Sequence, residues 1–133
     1  GVQTCALPIL GRRGLEQMNG AAMNNDACIV LTTFPDESAA SKVLDGLLEK
    51  RLAACVQTLP IQSAYRWQGD LRRESEILAQ IKTRAALYSE VEAFLRAHHP
   101  YEEPEILRVP VTGGSPGYLR WLAVETRPQG DST

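Results

Sequence analysis

Two strand-like stretches, Ala53–Trp67 and Leu71–Thr83, are separated only by Gln68-Gly69-Asp70, and no other feature of this 133-residue chain restricts its fold so much. Ile77, Ala79 and Ile81 alternate with Leu78, Gln80 and Lys82, as a half-buried strand requires, and the Gly-Asp element signals a hairpin. At about 13 residues each, the two strands exceed the usual five or six. Such a hairpin overhangs helices of ordinary length, and its uncovered end needs another surface, most economically a second copy of itself. Pro60 interrupts the first stretch and predicts a bulge or an edge position.

The elements around this hairpin follow from periodicity. Cys28–Phe34 is an apolar, β-branched run closed by Pro35, and Asp36 is a natural helix cap. Ala39, Ala40, Val43, Leu44, Leu47, Leu48 and Leu52 recur at three- and four-residue spacing, predicting a helix to about Leu52 with Lys50 and Arg51 in its last turn. A second helix is predicted from about Ala85 to His98, with Leu87, Val91, Phe94 and Leu95 inward and a stop fixed by Pro100. Glu105–Val111 reads as a last strand, and Gly113-Gly114-Ser115-Pro116-Gly117 leads into a short helix carrying Tyr118, Leu119, Trp121 and Leu122. The order β-α-β-β-α-β predicts an α+β, ferredoxin-like antiparallel sheet with two helices on one face, plus a short C-terminal helix.

One domain is expected, over residues 26–126, with 127–133 as a flexible tail. Residues 1–25 have no helical or alternating period. Gly1–Ile9 resembles a translated sequencing-library adapter, so this extension is read as disordered or artefactual, with Met18 and Met23 both credible starts. Fourteen basic against sixteen acidic residues, without a basic stripe, argue against nucleic acid. No apolar stretch reaches the roughly 18 residues of a membrane span. The three cysteines form no CxxC pair, and Cys28 and Cys55 sit in apolar runs as small hydrophobes, which makes a reducing cytoplasm the simplest compartment.

Chemistry concentrates in His98-His99-Pro100-Tyr101-Glu102-Glu103-Pro104-Glu105, which holds both histidines, three carboxylates and an aromatic. Imidazole nitrogen and carboxylate oxygen together can hold a divalent cation. The same residues also make a sound helix terminus, where a protonated His is favoured by the helix dipole. Successive helical positions lie about 100° apart, so the two imidazoles converge only if the chain turns at Pro100 or another subunit supplies a ligand. Glu102, Glu103 and Glu105 read either as cation ligands or as solvated loop carboxylates. An enzyme reading, with His99 as general base oriented by Glu102 or Glu103, lacks any nucleophile motif and ranks third.

Several separated motifs then carry a resemblance over residues 27–125. They are Val30-Leu31-Thr32-Thr33-Phe34-Pro35-Asp36-Glu37, Leu52-Ala53-Ala54-Cys55-Val56, Tyr65-Arg66-Trp67-Gln68-Gly69, Ile81-Lys82-Thr83, His99-Pro100-Tyr101-Glu102-Glu103-Pro104-Glu105, and Tyr118-Leu119 with Trp121-Leu122. Together they resemble the CutA divalent-cation-tolerance family. The resemblance implies a non-enzymatic homotrimer with long interlocking hairpins and a role in tolerance to divalent cations, copper most often named. The metal site of some members uses a Cys late in the first strand plus two histidines, positions matched here by Thr32, His98 and His99. Thr32 removes the soft thiolate that Cu(I) prefers, and Cys28 lies roughly 13 Å away along the strand. The family's likeness to PII signalling proteins implies an alternative, a regulator taking a small anionic ligand in an intersubunit cleft. Its candidate lining is Arg66, Trp67, Lys82, Tyr101 and Glu105.

Overall fold

The computed structural model describes residues 26–128. The predicted N-terminal extension, 1–25, and most of the predicted tail lie outside the described residues. The elements are β1 (Ala27–Phe34), α1 (Glu37–Glu49), β2 (Cys55–Trp67), β3 (Asp70–Arg84), α2 (Tyr88–His98, entered through a 3-10 turn at Ala85–Leu87), β4 (Leu107–Pro110) and α3 (Pro116–Glu125). The sheet order is β2-β3-β1-β4 and all its pairs are antiparallel, as the ferredoxin-like arrangement requires.

Alternate residues divide the sheet into two faces. Cys28, Val30 and Phe34 of β1 and Ile77, Ala79 and Ile81 of β3 join one buried cluster. Val43, Leu44 and Leu47 of α1 and Val91 and Leu95 of α2 complete it. Leu87 is fully buried as expected, while Phe94 is only partly so. The opposite face is apolar but thinly covered. Leu31 pairs with Leu107, Ile29 with Val109, and Leu59 with Leu78. Leu59, Leu107 and Val109 are exposed. Helix α3 covers one end of this face, where the Lys82 ammonium lies 5.7 Å from the Tyr118 ring centroid.

The hairpin pairs without a bulge from Cys55 opposite Lys82 to Trp67 opposite Asp70. Pro60 therefore takes the edge alternative, in a strand with one neighbour. The turn is tighter than expected, because Asp70 already belongs to β3 and only Gln68 and Gly69 connect the strands. Both have positive φ, 51° and 85°. That is the pattern of a type I′ turn, whose twist matches that of the flanking strands.

Helix α1 begins as expected, with the Asp36 carboxylate accepting from the Ala39 N–H at 2.8 Å. Its end differs. Lys50 and Arg51 are not in the last turn: Lys50 is the cap, and Arg51 lies beyond it at φ 56°. The Leu52 N–H returns to the Leu47 carbonyl and the Arg51 N–H to that of Leu48, a Schellman closure built on an arginine instead of glycine. The Arg51 side chain explains the choice. Its guanidinium donates to the Val124 and Glu125 carbonyls at 2.6 and 3.1 Å, capping α3, and its own carbonyl accepts from the Arg127 N–H. Arg127, placed by sequence in the tail, also reaches Glu90 at 3.0 Å.

The predicted last strand, Glu105–Val111, shortens to Leu107–Pro110 because residues 100–106 are drawn across the end of the sheet.

Gln68 holds a left-handed backbone, which an Asn adopts at lower cost than a Gln. Gln68→Asn should stabilise the protein by about 0.5–1 kcal/mol, since Asn-Gly suits both turn positions. Denaturant unfolding at fixed protein concentration measures this, and an unchanged midpoint would contradict the type I′ assignment.

Candidate functional site

Pro100 ends α2 by forcing His99 into extended backbone, φ −73° and ψ 139°. The two histidines consequently part company. His98, on the last turn of α2, is exposed and rests on Phe94, ring centroids 4.3 Å apart. His99 turns inward, stacking on the fully buried Phe34 ring at 4.5 Å and 13° and meeting the Tyr101 ring at 5.1 Å.

Both nitrogens of His99 are engaged. Nδ1 accepts the Tyr101 N–H at 3.1 Å. The neutral ring must then carry its proton on Nε2, which donates to the Thr33 carbonyl at 2.8 Å, with Thr32 Oγ1 at 3.2 Å. Burial holds the imidazole below its ordinary pKa, against the opposing pull of the Thr33 carbonyl and Glu76. His99 is thus a neutral pin that fixes the loop from Pro100 onward to the end of β1. Its bonds leave no lone pair for a general base, and neither Glu102 nor Glu103 orients it.

The next side chain completes the attachment. Tyr101 Oη donates to Glu76 Oε2 at 2.8 Å, and Glu76 is 8% exposed. Burial first, and then this carboxylate, push the Tyr101 phenol well above its usual range. On the neighbouring hairpin the Tyr65 hydroxyl is likewise raised, chiefly by its bond to Glu74. Sequence reasoning missed Glu76 and Phe34. The only available signal was a carboxylate on β3 immediately before a buried run, and topology alone reveals that it meets Tyr101.

The pinned loop and the projecting hairpin enclose a groove of about 640 Å³. Its aromatic wall is Tyr65, Trp67 and Tyr101. Five carboxylates line it, Glu74, Glu76, Glu102, Glu103 and Glu105, against one guanidinium, Arg72. Glu103 also lies 3.8 Å from Arg96, a long and exposed pair that neutralises it little.

Of the sequence-derived cleft residues, Trp67, Tyr101 and Glu105 line this groove. Arg66 and Lys82 do not: Lys82 sits at the other end of the sheet against Tyr118. This groove within one chain is therefore acidic, and it is not the intersubunit cleft expected to take an anionic ligand. Of the three expected metal ligands, Thr32 and His99 are brought together, while His98 is directed to Phe94. Among the described residues no group of three or more His, Cys, Asp or Glu side chains is clustered tightly enough to hold a metal on its own. Cys28 is a free thiol in the core, with its pKa raised by burial, and offers no thiolate.

The neutral state of His99 has a consequence for stability. Below about pH 6.5, where a free imidazole takes up its proton, the unfolded chain binds more protons than the folded one. The ring's contribution is thus present above that pH and is lost as pH falls toward the depressed folded value. The stability difference between wild type and His99→Gln should shrink between pH 7.5 and 5.5, as read by denaturant unfolding. A pH-independent difference would mean that the ring is not held neutral.

Comparison with known proteins agrees with this architecture. The family profile described as "CutA1 divalent ion tolerance protein" matches residues 28–125. The divalent-cation tolerance protein CutA of Pectobacterium atrosepticum is 42% identical over 103 residues, covering 77% of this chain and 94% of that protein. Its Thermus thermophilus counterpart is 39% identical over 99 residues, covering 74% and 96%. Among solved structures, CutA1 from Pyrococcus horikoshii superposes with a TM-score of 0.74 at 38% identity, covering 76% of this chain and 99% of that one. CutA from Xylella fastidiosa gives the same score at 40% identity, covering 77% and 99%.

Proposed function

This chain belongs to the CutA1 family of divalent ion tolerance proteins, and from that premise we propose that it binds hard divalent cations in the groove between the hairpin and the Tyr101 loop. The observation that carries this reading is the charge of the lining, five carboxylates against one guanidinium. Carboxylate oxygens suit hard ions such as Mg(II), Ca(II) and Mn(II). Since no three carboxylates among the described residues cluster tightly enough to form a ligand set on their own, Glu102, Glu103 and Glu105 would hold a largely hydrated ion by their charge. Copper fits less well. Thr32 supplies no thiolate, His98 points away, and His99 would have to give up its bond to the Thr33 carbonyl or to the Tyr101 N–H before it could ligate. We propose no catalytic step.

The working form is proposed to be a cytoplasmic homotrimer. The uncovered apolar sheet face, with Leu59, Leu107 and Val109 exposed, favours burial against further copies of the chain. No helix among the described residues is long and apolar enough to cross a membrane.

Calorimetric titration of Mn(II) and Cu(II) distinguishes the donors. Mn(II) affinity should fall tenfold or more in Glu102→Gln/Glu103→Gln/Glu105→Gln and stay unchanged in His98→Ala, which leaves the His99 pin in place. Loss in His98→Ala, with the glutamate variant binding like wild type, would transfer the site to the histidines and Thr32.

Light scattering should give three times the mass of one chain, and Leu59→Glu/Leu107→Glu should lower it. A wild-type protein that remains monomeric at high concentration would remove the trimer.

A further inference from the structure

On the helical side of the molecule lies a second groove, of about 690 Å³, opposite in character to the first. One stripe of α1, residues 39, 42, 43 and 46, continued by the cap residue Lys50, borders residues 94, 97 and 98 of α2, at the three- and four-residue spacings of a helix surface. Small side chains keep the seam open. Ala39, Val43 and Ala97 line it. Gly46 is required for the closure of the seam at its middle: a Cβ there would come within 2.6 Å of the tip of the Phe94 ring. The glycine thus lets Phe94 lie down against α1, and His98 rests on that ring at 4.3 Å.

The ionisable groups lining the seam are Lys42, Lys50 and His98, with no carboxylate among them, in a chain of net charge −2. Both lysines are exposed, and none of the ion pairs among the described residues engages either one. Eight positions separate them, about 12 Å along the helix at 1.5 Å per residue, so they bracket the aromatic pair.

We propose that this seam is a second binding site, for a flat aromatic anion whose ring stacks on the exposed His98 imidazole, itself tilted 39° against Phe94, and whose negative group is taken by Lys42 or Lys50. The volume falls within the range of small-molecule sites. Planar aromatic side chains are the platforms on which heteroaromatic rings stack, and lysine serves as a point charge for phosphate or carboxylate. The site is independent of the acidic groove, which would repel the same ligand.

Adenosine 5′-monophosphate, adenosine and inorganic phosphate form a matched set of probes. Titrated calorimetrically into the full chain, the nucleotide should bind saturably and at least tenfold more tightly than either fragment. Lys42→Gln/Lys50→Gln should reduce its affinity to that of adenosine, and His98→Ala to that of phosphate. All three substitutions lie at exposed positions, so folding is preserved. The proposal is overturned if the nucleotide gives no saturable heat at millimolar concentration, if phosphate binds as tightly as the nucleotide, or if the variants bind like wild type.

Discussion

Everything else in this protein is arranged around the unbroken pairing of β2 with β3. From Cys55 opposite Lys82 to Trp67 opposite Asp70 each residue keeps its partner, so no bulge bends the ribbon back onto the body. Only its base, with Ile77, Ala79 and Ile81, lies under the two helices; the residues from about Ile61 to Ser75 project beyond them. The projection creates two obligations. Its far face and the adjoining face of β1 and β4 expose aliphatic side chains that a lone chain leaves in water. Its flank also needs a wall, which the loop after α2 provides.

That wall depends on one neutral imidazole. Without His99, residues 100–106 would have no attachment to β1, because their other anchor, the Tyr101–Glu76 bond, reaches β3 instead. The arrangement keeps Glu76 acceptable inside the structure. A nearly buried carboxylate is costly unless hydrogen-bonded, and the Tyr101 hydroxyl meets that need while its ring covers His99. One consequence is that the carboxylates further along the loop are held facing the hairpin's own glutamates, not dispersed in solvent. The acidity of the groove is thus a product of the pin.

The sheet order, the two-helix layer and the hairpin were legible because they rest on local periodicity and on turn chemistry that one sequence contains. The cap at Asp36 and the stop at Pro100 were legible for the same reason. The end of α1 was not, because Arg51 sits where glycine is usual, and its reason lies 73 residues away in the carbonyls of α3. The site was legible only in part. Residues 98–105 stood out as a cluster of chemistry, and Thr32 with His99 did come together. Sequence adjacency nevertheless suggested that the histidines act as a pair, and a single extended residue after a helix is enough to send neighbours to opposite sides. The pairing of Tyr101 with Glu76 spans 25 residues and two elements, which no local pattern encodes.

The junction at Pro100 therefore acts as a divider. Pro100 lines both grooves, with the carboxylates on one side and Lys42, Lys50 and His98 on the other. Opposite charges so close to one junction attract weakly through solvent, but their separation is kept by geometry and not by electrostatics. The extended backbone at His99 and its fixed tautomer hold the loop away from the helix seam. Screening acts on both fields within about 8 Å at physiological ionic strength, so each groove presents its own sign to a small ion arriving at its mouth. A cation and an aromatic anion would accordingly be sorted to different faces of the same short segment. Pro100, which lines both grooves, is their shared wall, and the His99 pin ties that segment to β1.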